Sequence, residues 1–158
     1  MKTFSKLPYL VMLASLITLG SCSEDDDKDP PKSATELIGS GEAWKFSSAS
    51  AGGIPITSAI PACFLDNQIT FDYNESGNTG VVDAGANKCS ESEPQTADFE
   101  WSYSESTSIL TVDTELLDIP GATGDIKVVS VTADTLVLTQ SVAITGLGPQ
   151  EVTLTLVH

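Results

Sequence analysis

Ile69-Thr70-Phe71-Asp72-Tyr73 alternates apolar and polar side chains residue by residue, and Asp98-Phe99-Glu100-Trp101-Ser102-Tyr103 repeats the pattern. Successive side chains of a strand point to opposite faces. Ile69, Phe71 and Tyr73 therefore share one face while Thr70 and Asp72 take the other, and Phe99, Trp101 and Tyr103 stand likewise against Asp98, Glu100 and Ser102. The period of two returns around Ala43 to Ser48, Thr79 to Asp83, Ser108 to Asp113, Ile126 to Thr132, Leu136 to Ile144 and Glu151 to Val157, so the residues after Thr35 read as about eight β-strands.

The links between these strands are short and carry turn chemistry. Asn74-Glu75-Ser76-Gly77-Asn78, Ser104-Glu105-Ser106-Thr107, Ala133-Asp134 and Gly146-Leu147-Gly148-Pro149 each predict a hairpin, and consecutive hairpins make an antiparallel meander. Only Ala34 to Ser40 and Glu115 to Ile119 offer helical stretches, and neither is long enough to cover a sheet. Unpaired edges invite association with other strands, so an all-β, up-and-down meander of this size is expected to close into a barrel, with an open β-sandwich as the alternative.

The N-terminus reads differently. Lys2 and Lys6 precede an apolar run from Leu7 to Leu19, and Gly20-Ser21 lead into Cys22. A basic start, a short apolar stretch and small residues before the cut make a secretory signal, and the run is too short to span a bilayer stably. Because the cysteine follows directly, the segment resembles a bacterial lipoprotein signal, which implies that Cys22 becomes a lipid-bearing N-terminus. Several acyl chains on one residue anchor firmly. The alternative is an ordinary secretory signal that leaves Cys22 as a free thiol. From Ser23 to Thr35 the chain has five acids, two lysines and two prolines with almost nothing apolar, a composition that cannot bury enough surface to fold and suits an extended tether. The expected organisation is signal peptide at 1–21, lipidated cysteine and acidic tether at 22–35, and one folded domain at 36–158. The acids after Cys22 resemble the signal by which members of the Bacteroidota export lipoproteins to the outer face of the outer membrane; a merely solvated spacer, with the protein on the periplasmic face, is the alternative.

The domain carries 17 acids against Lys45, Lys88 and Lys127, and the chain has no arginine. Such a surface repels phosphate backbones and lacks the guanidinium forks that grip phosphate, which argues against nucleic acid and anionic headgroups as partners. Once Cys22 is set aside, Cys63 and Cys89 remain, an even number suited to one disulfide in an oxidising compartment. A redox-active pair needs an electropositive setting, and Cys89 lies between Lys88 and an acidic serine-rich run.

Four constellations bear on chemistry. Trp44, Phe71, Tyr73, Phe99, Trp101 and Tyr103 form a candidate ligand-binding aromatic set, and the same residues are what a small barrel needs to fill its core. Asp72 to Asn78, with Asp83 at the twelfth position, matches the oxygen spacing of a calcium loop, yet strands flank it and it equally describes a hairpin with Gly77 in a left-handed conformation. Asp98 and Glu100 share a strand face opposite the aromatics, where neither is desolvated enough for acid–base work. His158 has no second histidine to share a metal and no nucleophile to serve. No catalytic residue, metal ligand or cofactor site is expected.

The order Leu37-Ile38-Gly39, Gly41-Glu42-Ala43-Trp44-Lys45-Phe46, Cys63, Ile69-Thr70-Phe71, Asn74 to Asn78, Cys89, Trp101 and Thr135-Leu136-Val137-Leu138 resembles the small lipocalin-like lipoproteins of Bacteroidota. The resemblance implies an up-and-down barrel with a small or open cavity. Ligand-carrying lipocalins have Gly-x-Trp on the first strand with an arginine beneath the tryptophan; here the spacing is Gly41-x-x-Trp44 and there is no arginine. Asp134-Thr135-Leu136 also resembles the sites at which Bacteroidota O-glycosylate exported proteins, and it suits a turn entering a strand as well. The resulting expectation is a non-enzymatic, monomeric, membrane-anchored barrel that binds a small apolar or amphipathic molecule. The alternative is a surface module that engages a protein or glycan and has no internal ligand.

Overall fold

The computed structural model describes residues 30–113, 125–144 and 148–158, and the compact unit treated below is Pro31–His158. The signal segment, Cys22 and the acidic run lie outside the described residues, as do Glu115 to Ile119 and the Gly146-Leu147 hairpin tip.

The order is α1 (Ala34–Ile38), β1 (Ser40–Ala51), β2 (Ile54–Pro55), a 3-10 turn (Thr57–Ala59), α2 (Ala62–Leu65), β3 (Gln68–Asp72), β4 (Thr79–Asp83), β5 (Thr96–Ser104), β6 (Ile109–Val112), β7 (Ile126–Val131), β8 (Thr135–Ile144) and β9 (Gly148–Val157). From β3 onward each strand pairs antiparallel with the next, and β1 pairs with both β3 and β9. That second pairing closes β1 and β3 to β9 into an eight-strand barrel, so the open sandwich does not form. β2 is a two-residue tab on the end of β1.

β1 runs longer than its alternation predicts, because it serves two neighbours in succession. Ala43, Trp44 and Lys45 pair with β3, and Lys45 to Ala51 pair with β9 across a register shift between Phe46 and Ser48. The extra residue in that bulge breaks the period of two, so Trp44 and Phe46 before it and Ala49 and Ala51 after it all face inward.

α1 begins at Ala34, two residues inside the stretch read as tether. A capping box starts it: the Glu36 N–H donates to the Ser33 hydroxyl (3.2 Å) and the Ser33 N–H donates to the Glu36 carboxylate (2.8 Å). The Thr35 N–H and hydroxyl both donate to Glu105, at 3.0 and 2.8 Å, tying the helix to the β5–β6 hairpin.

Antiparallel order sorts the connections between two barrel ends. α1, the hairpin turns at 73–78, 105–108 and 132–134, and His158 lie at one end, the floor. The connections 52–67 and 84–95 lie at the other, the mouth, as do the strand ends Val112, Ile126, Ile144 and Gly148. Thr135 opens β8 at the floor end and is half-buried.

The 73–78 turn settles the calcium question. Asp72 pairs with Thr79 and Asp83 with Gln68, so the two acids are separated by the length of β4, roughly 13 Å at about 3.3 Å per residue. They cannot share an ion. The loop instead closes on itself: the Ser76 N–H donates to the Asn74 side chain (3.0 Å), the Gly77 N–H to the Asn74 carbonyl (3.0 Å), and Gly77 takes a φ of +146°.

Candidate functional site

The aromatic set divides unevenly along the barrel axis. Trp44 and Phe71 are 0% exposed, touching neither solvent nor a water-sized void, and with Ile38, Leu110, Leu136 and Leu156 they seal the floor. Phe71 meets the edges of Phe99 and Trp101, with ring centroids 5.3 and 5.4 Å apart, a favoured aromatic geometry. Phe99 lies against Gly80, where a β-carbon would collide with its ring and come within 2.6 Å of the Thr70 carbonyl oxygen.

Neither indole N–H is left for a ligand. Trp44 Nε1 donates to the Ile38 carbonyl (3.1 Å) and Trp101 Nε1 to the Thr79 carbonyl (2.8 Å). The His158 ring stacks on Trp44 with centroids 3.6 Å apart, and its Nδ1 lies 3.3 Å from the Ala43 carbonyl oxygen. The histidine without a chemical partner is thus part of the floor's packing.

Tyr73 departs from its predicted place. β3 ends at Asp72, the Tyr73 N–H turns to the Gly39 carbonyl (3.1 Å), and its side chain is 45% exposed rather than inward. Tyr103 faces inward at the floor end and is half-buried. Asp98 and Glu100 lie exposed on the outer face of β5, where the Glu100 N–H donates to the Asp113 carboxylate (2.8 Å).

Toward the mouth the inner face changes character. Ala49 and Ala51 follow Trp44 and Phe46 on β1, Val82 follows Gly80 on β4, and Ala97 precedes Phe99 on β5. Val152 on β9 continues the apolar lining. Eight strands set a roughly constant bore, so the methyls on these strands fill less of the mouth half than the indole and phenyl groups fill of the floor. Ala97 faces inward beside Val82 and is nevertheless exposed to solvent. These residues carry no chemical signature in the sequence; only their register reveals them.

The connection 52–67 lies across part of the mouth, with Ile56 and Ile60 packed on the core from above. The Ile56 N–H donates to the Ala49 carbonyl (2.9 Å), and the Ala49 N–H to the Thr57 hydroxyl (3.1 Å). Its far end is bound to the β4–β5 connection. The predicted disulfide joins Cys63 of α2 to Cys89, with Cα atoms 5.1 Å apart. The Asn67 amide, oriented to satisfy its neighbours, donates to the Cys63 and Ala84 carbonyls (2.9 and 3.3 Å).

Asp66 completes the clamp. One carboxylate oxygen accepts from the Ala86 N–H, the Asn87 N–H and the Asn87 side-chain amide at 2.9, 3.0 and 2.9 Å. Burial pushes this carboxyl up, but the Asn87 amide and the two backbone N–H groups outweigh it and hold it below its ordinary value. A folded-state value below the unfolded value of about 4 means that the stabilisation is complete above that value and is lost as pH falls through the lower one. Asp66→Asn is therefore expected to destabilise the domain at pH 7, with the difference from wild type shrinking below about pH 4. Urea unfolding at both pH values checks this; a difference constant with pH would assign the effect to shape rather than charge.

Among the described residues no group of three or more His, Cys, Asp or Glu is placed to hold a metal. The molecule is thus defined as an up-and-down β-barrel sealed by aromatics at one end and lined by small apolar side chains at the other. The chain belongs to the lipocalin-like domain family, whose model matches residues 40–138, from the start of β1 into β8. No curated protein matches the sequence. A solved complex of bovine odorant binding protein with a selenium-containing odorant is similar at 9% identity and a TM-score of 0.44, over 82% of this chain and 75% of that one.

Proposed function

We propose that the barrel binds one small apolar or amphipathic molecule in its mouth half and performs no chemistry on it. The observation that carries this reading is the change from aromatic to alanine lining within one bore, with Ala97 inward-facing yet exposed. Burying apolar ligand surface there is favourable at about 25 cal/mol per Å² of area removed from water. Native mass spectrometry and thermal shift against lipids, bile acids and hydrophobic metabolites test it: a retained 1:1 mass with a raised Tm is expected. A mouth half filled solidly by protein side chains in an experimental structure would overturn it.

The surface-module alternative calls for a contiguous exposed apolar patch. Among the described residues the large exposed apolar side chains stand apart: Ile54 in β2 at the mouth, Tyr73 at the floor and Val129 at the register shift of β7.

The binding domain is proposed to be held at the outer membrane by acyl chains, palmitate among them, on Cys22, facing the cell exterior, as a monomer on an acidic tether. Supporting this are the apolar run before Cys22 and the acids after it. Labelling cells with an alkyne-bearing palmitate analogue is expected to tag the wild-type protein, and Cys22→Ser is expected to abolish the tag and release the protein from membranes. Membrane retention of the serine variant would contradict the anchor.

A further inference from the structure

The 52–67 connection is apolar on its outer side as well as its inner one. From Phe46 to Leu65 no side chain is charged, the longest such run in a domain that carries 17 acids and three lysines. Ile56 and Ile60 pack on the core. Ile54 stands 69% exposed, and Pro55, Ala59, Pro61 and Ala62 are exposed along the same stretch. Surface residues are mostly polar, so an apolar stretch left in water marks a place where something else lies. The backbone is equally prepared to leave water. Pro55 and Pro61 have no N–H, and the N–H groups of Ile56, Ala59, Ile60 and Phe64 donate to the carbonyls of Ala49, Ile56, Thr57 and Pro61 at 2.9, 2.8, 3.2 and 3.0 Å. Groups already paired within the protein cost far less to desolvate than unpaired ones.

The charges around this stretch decide what can cover it. Glu151 adjoins it, its carbonyl accepting the Gly52 N–H (3.2 Å), and Asp66, Glu91 and Glu93 lie in the clamp and the 84–95 connection beyond. Lys88 is the one base there and donates to the Glu93 carbonyl (2.7 Å). An anionic surface would meet these acids and a domain of strongly negative net charge. A zwitterionic bilayer sets no net charge against them and takes up apolar side chains below its headgroups. The chain also brings a bilayer within range. Ser33, the cap of α1 at the floor, is eleven residues beyond Cys22, a span of at most about 36–40 Å. The ten residues of β9, tilted by about 40°, cover roughly 26 Å of barrel axis. The mouth side can therefore reach the membrane that holds the tether.

We propose that the 52–62 stretch is a docking surface for a lipid bilayer without net charge, with Ile54 as its inserting side chain. The reach of that bilayer rests on the lipid anchor proposed above. The test uses the full chain with its acyl groups in phosphatidylcholine vesicles that contain a lipid with a nitroxide high on its acyl chain. Ile54→Trp and Val129→Trp are the reporters, because both positions are exposed while Trp44 and Trp101 are buried. The Ile54→Trp indole is expected to emit at shorter wavelength with vesicles and to be quenched about twofold or more by the nitroxide, whereas Val129→Trp on the barrel wall and the wild type stay unchanged. Ala59→Glu, added beside Ile54→Trp on the outer side, should cut that quenching roughly threefold, since it places a charge in the contact. Replacing about 30% of the lipid by phosphatidylglycerol at low salt should do likewise. Equal quenching of Val129→Trp and Ile54→Trp, or quenching of Ile54→Trp indifferent to Ala59→Glu, would overturn the docking surface and leave the anchor standing. Failure of the wild-type chain to sediment with the vesicles would overturn the anchor and the docking surface with it.

Discussion

Trp44→Ala is expected to lower the stability of the domain by about 3–5 kcal/mol, the range for truncating a large aromatic in a packed core. Trp44 is 0% exposed. Its removal takes away the apolar contacts of the floor, leaves the Ile38 carbonyl without its indole donor, and strips His158 of the surface on which it stacks. The floor carries little redundancy, because α1 is a five-residue helix held by its cap, the Glu105 contacts and the packing of Ile38. For a domain of this size the loss corresponds to a fall in Tm of roughly 10–20 °C. Trp44→Phe separates the contributions: it keeps an aromatic against His158 and loses the indole hydrogen bond, so it should cost about 1–2 kcal/mol. Denaturant unfolding measures both, and a Trp44→Ala cost below about 1 kcal/mol would show that the floor is not the packed layer described.

Loss of the Cys63–Cys89 bridge ranks next. The cysteines are 26 residues apart in sequence, and the chain-entropy treatment of a loop that long gives about 3.5 kcal/mol. The Cys63→Ala/Cys89→Ala double variant should lose stability by that order, and reduction of the wild-type protein should do the same. The effect is also local. The bridge, Asp66 and Asn67 together fix the end of the 52–67 connection to the 84–95 connection. Hydrogen exchange should therefore quicken at both connections in the double variant while the floor strands keep their relative order of protection. Equal stability with and without the bridge would contradict the clamp.

Much of the architecture was legible in the sequence because short, regular strands obey the period of two. Ile69 and Phe71, and Phe99 and Trp101, point inward as their alternation predicts, and β4 spans the predicted Thr79–Asp83. Cysteine parity identified the bridge. What escaped is physical rather than statistical. β1 continues past the predicted Ser48 to Ala51, because a bulge between Phe46 and Ser48 breaks the alternation. Tyr73 fits its strand's pattern but lies one residue past the end of β3, where the Gly39 carbonyl captures its N–H. Trp44 and His158 meet across nearly the whole domain, a contact created only when β1 pairs with β9. The mouth was the least legible part. Alanine and valine advertise no chemistry, and Ala49, Ala97 and Val152 come to share a lining only through register.

The central claim is that the mouth half of the barrel, and not its outer surface, takes a small molecule. Methyl-resolved NMR during titration with decan-1-ol tests it most directly. The predicted result is saturable shifts, with one-to-one stoichiometry, at Ala49, Ala51, Val82, Ala97 and Val152, while Val81, on the opposite face of β4 from Val82, and exposed Val129 stay fixed. Shifts confined to Val81 and Val129, or no saturable shift at any mouth methyl, would contradict it.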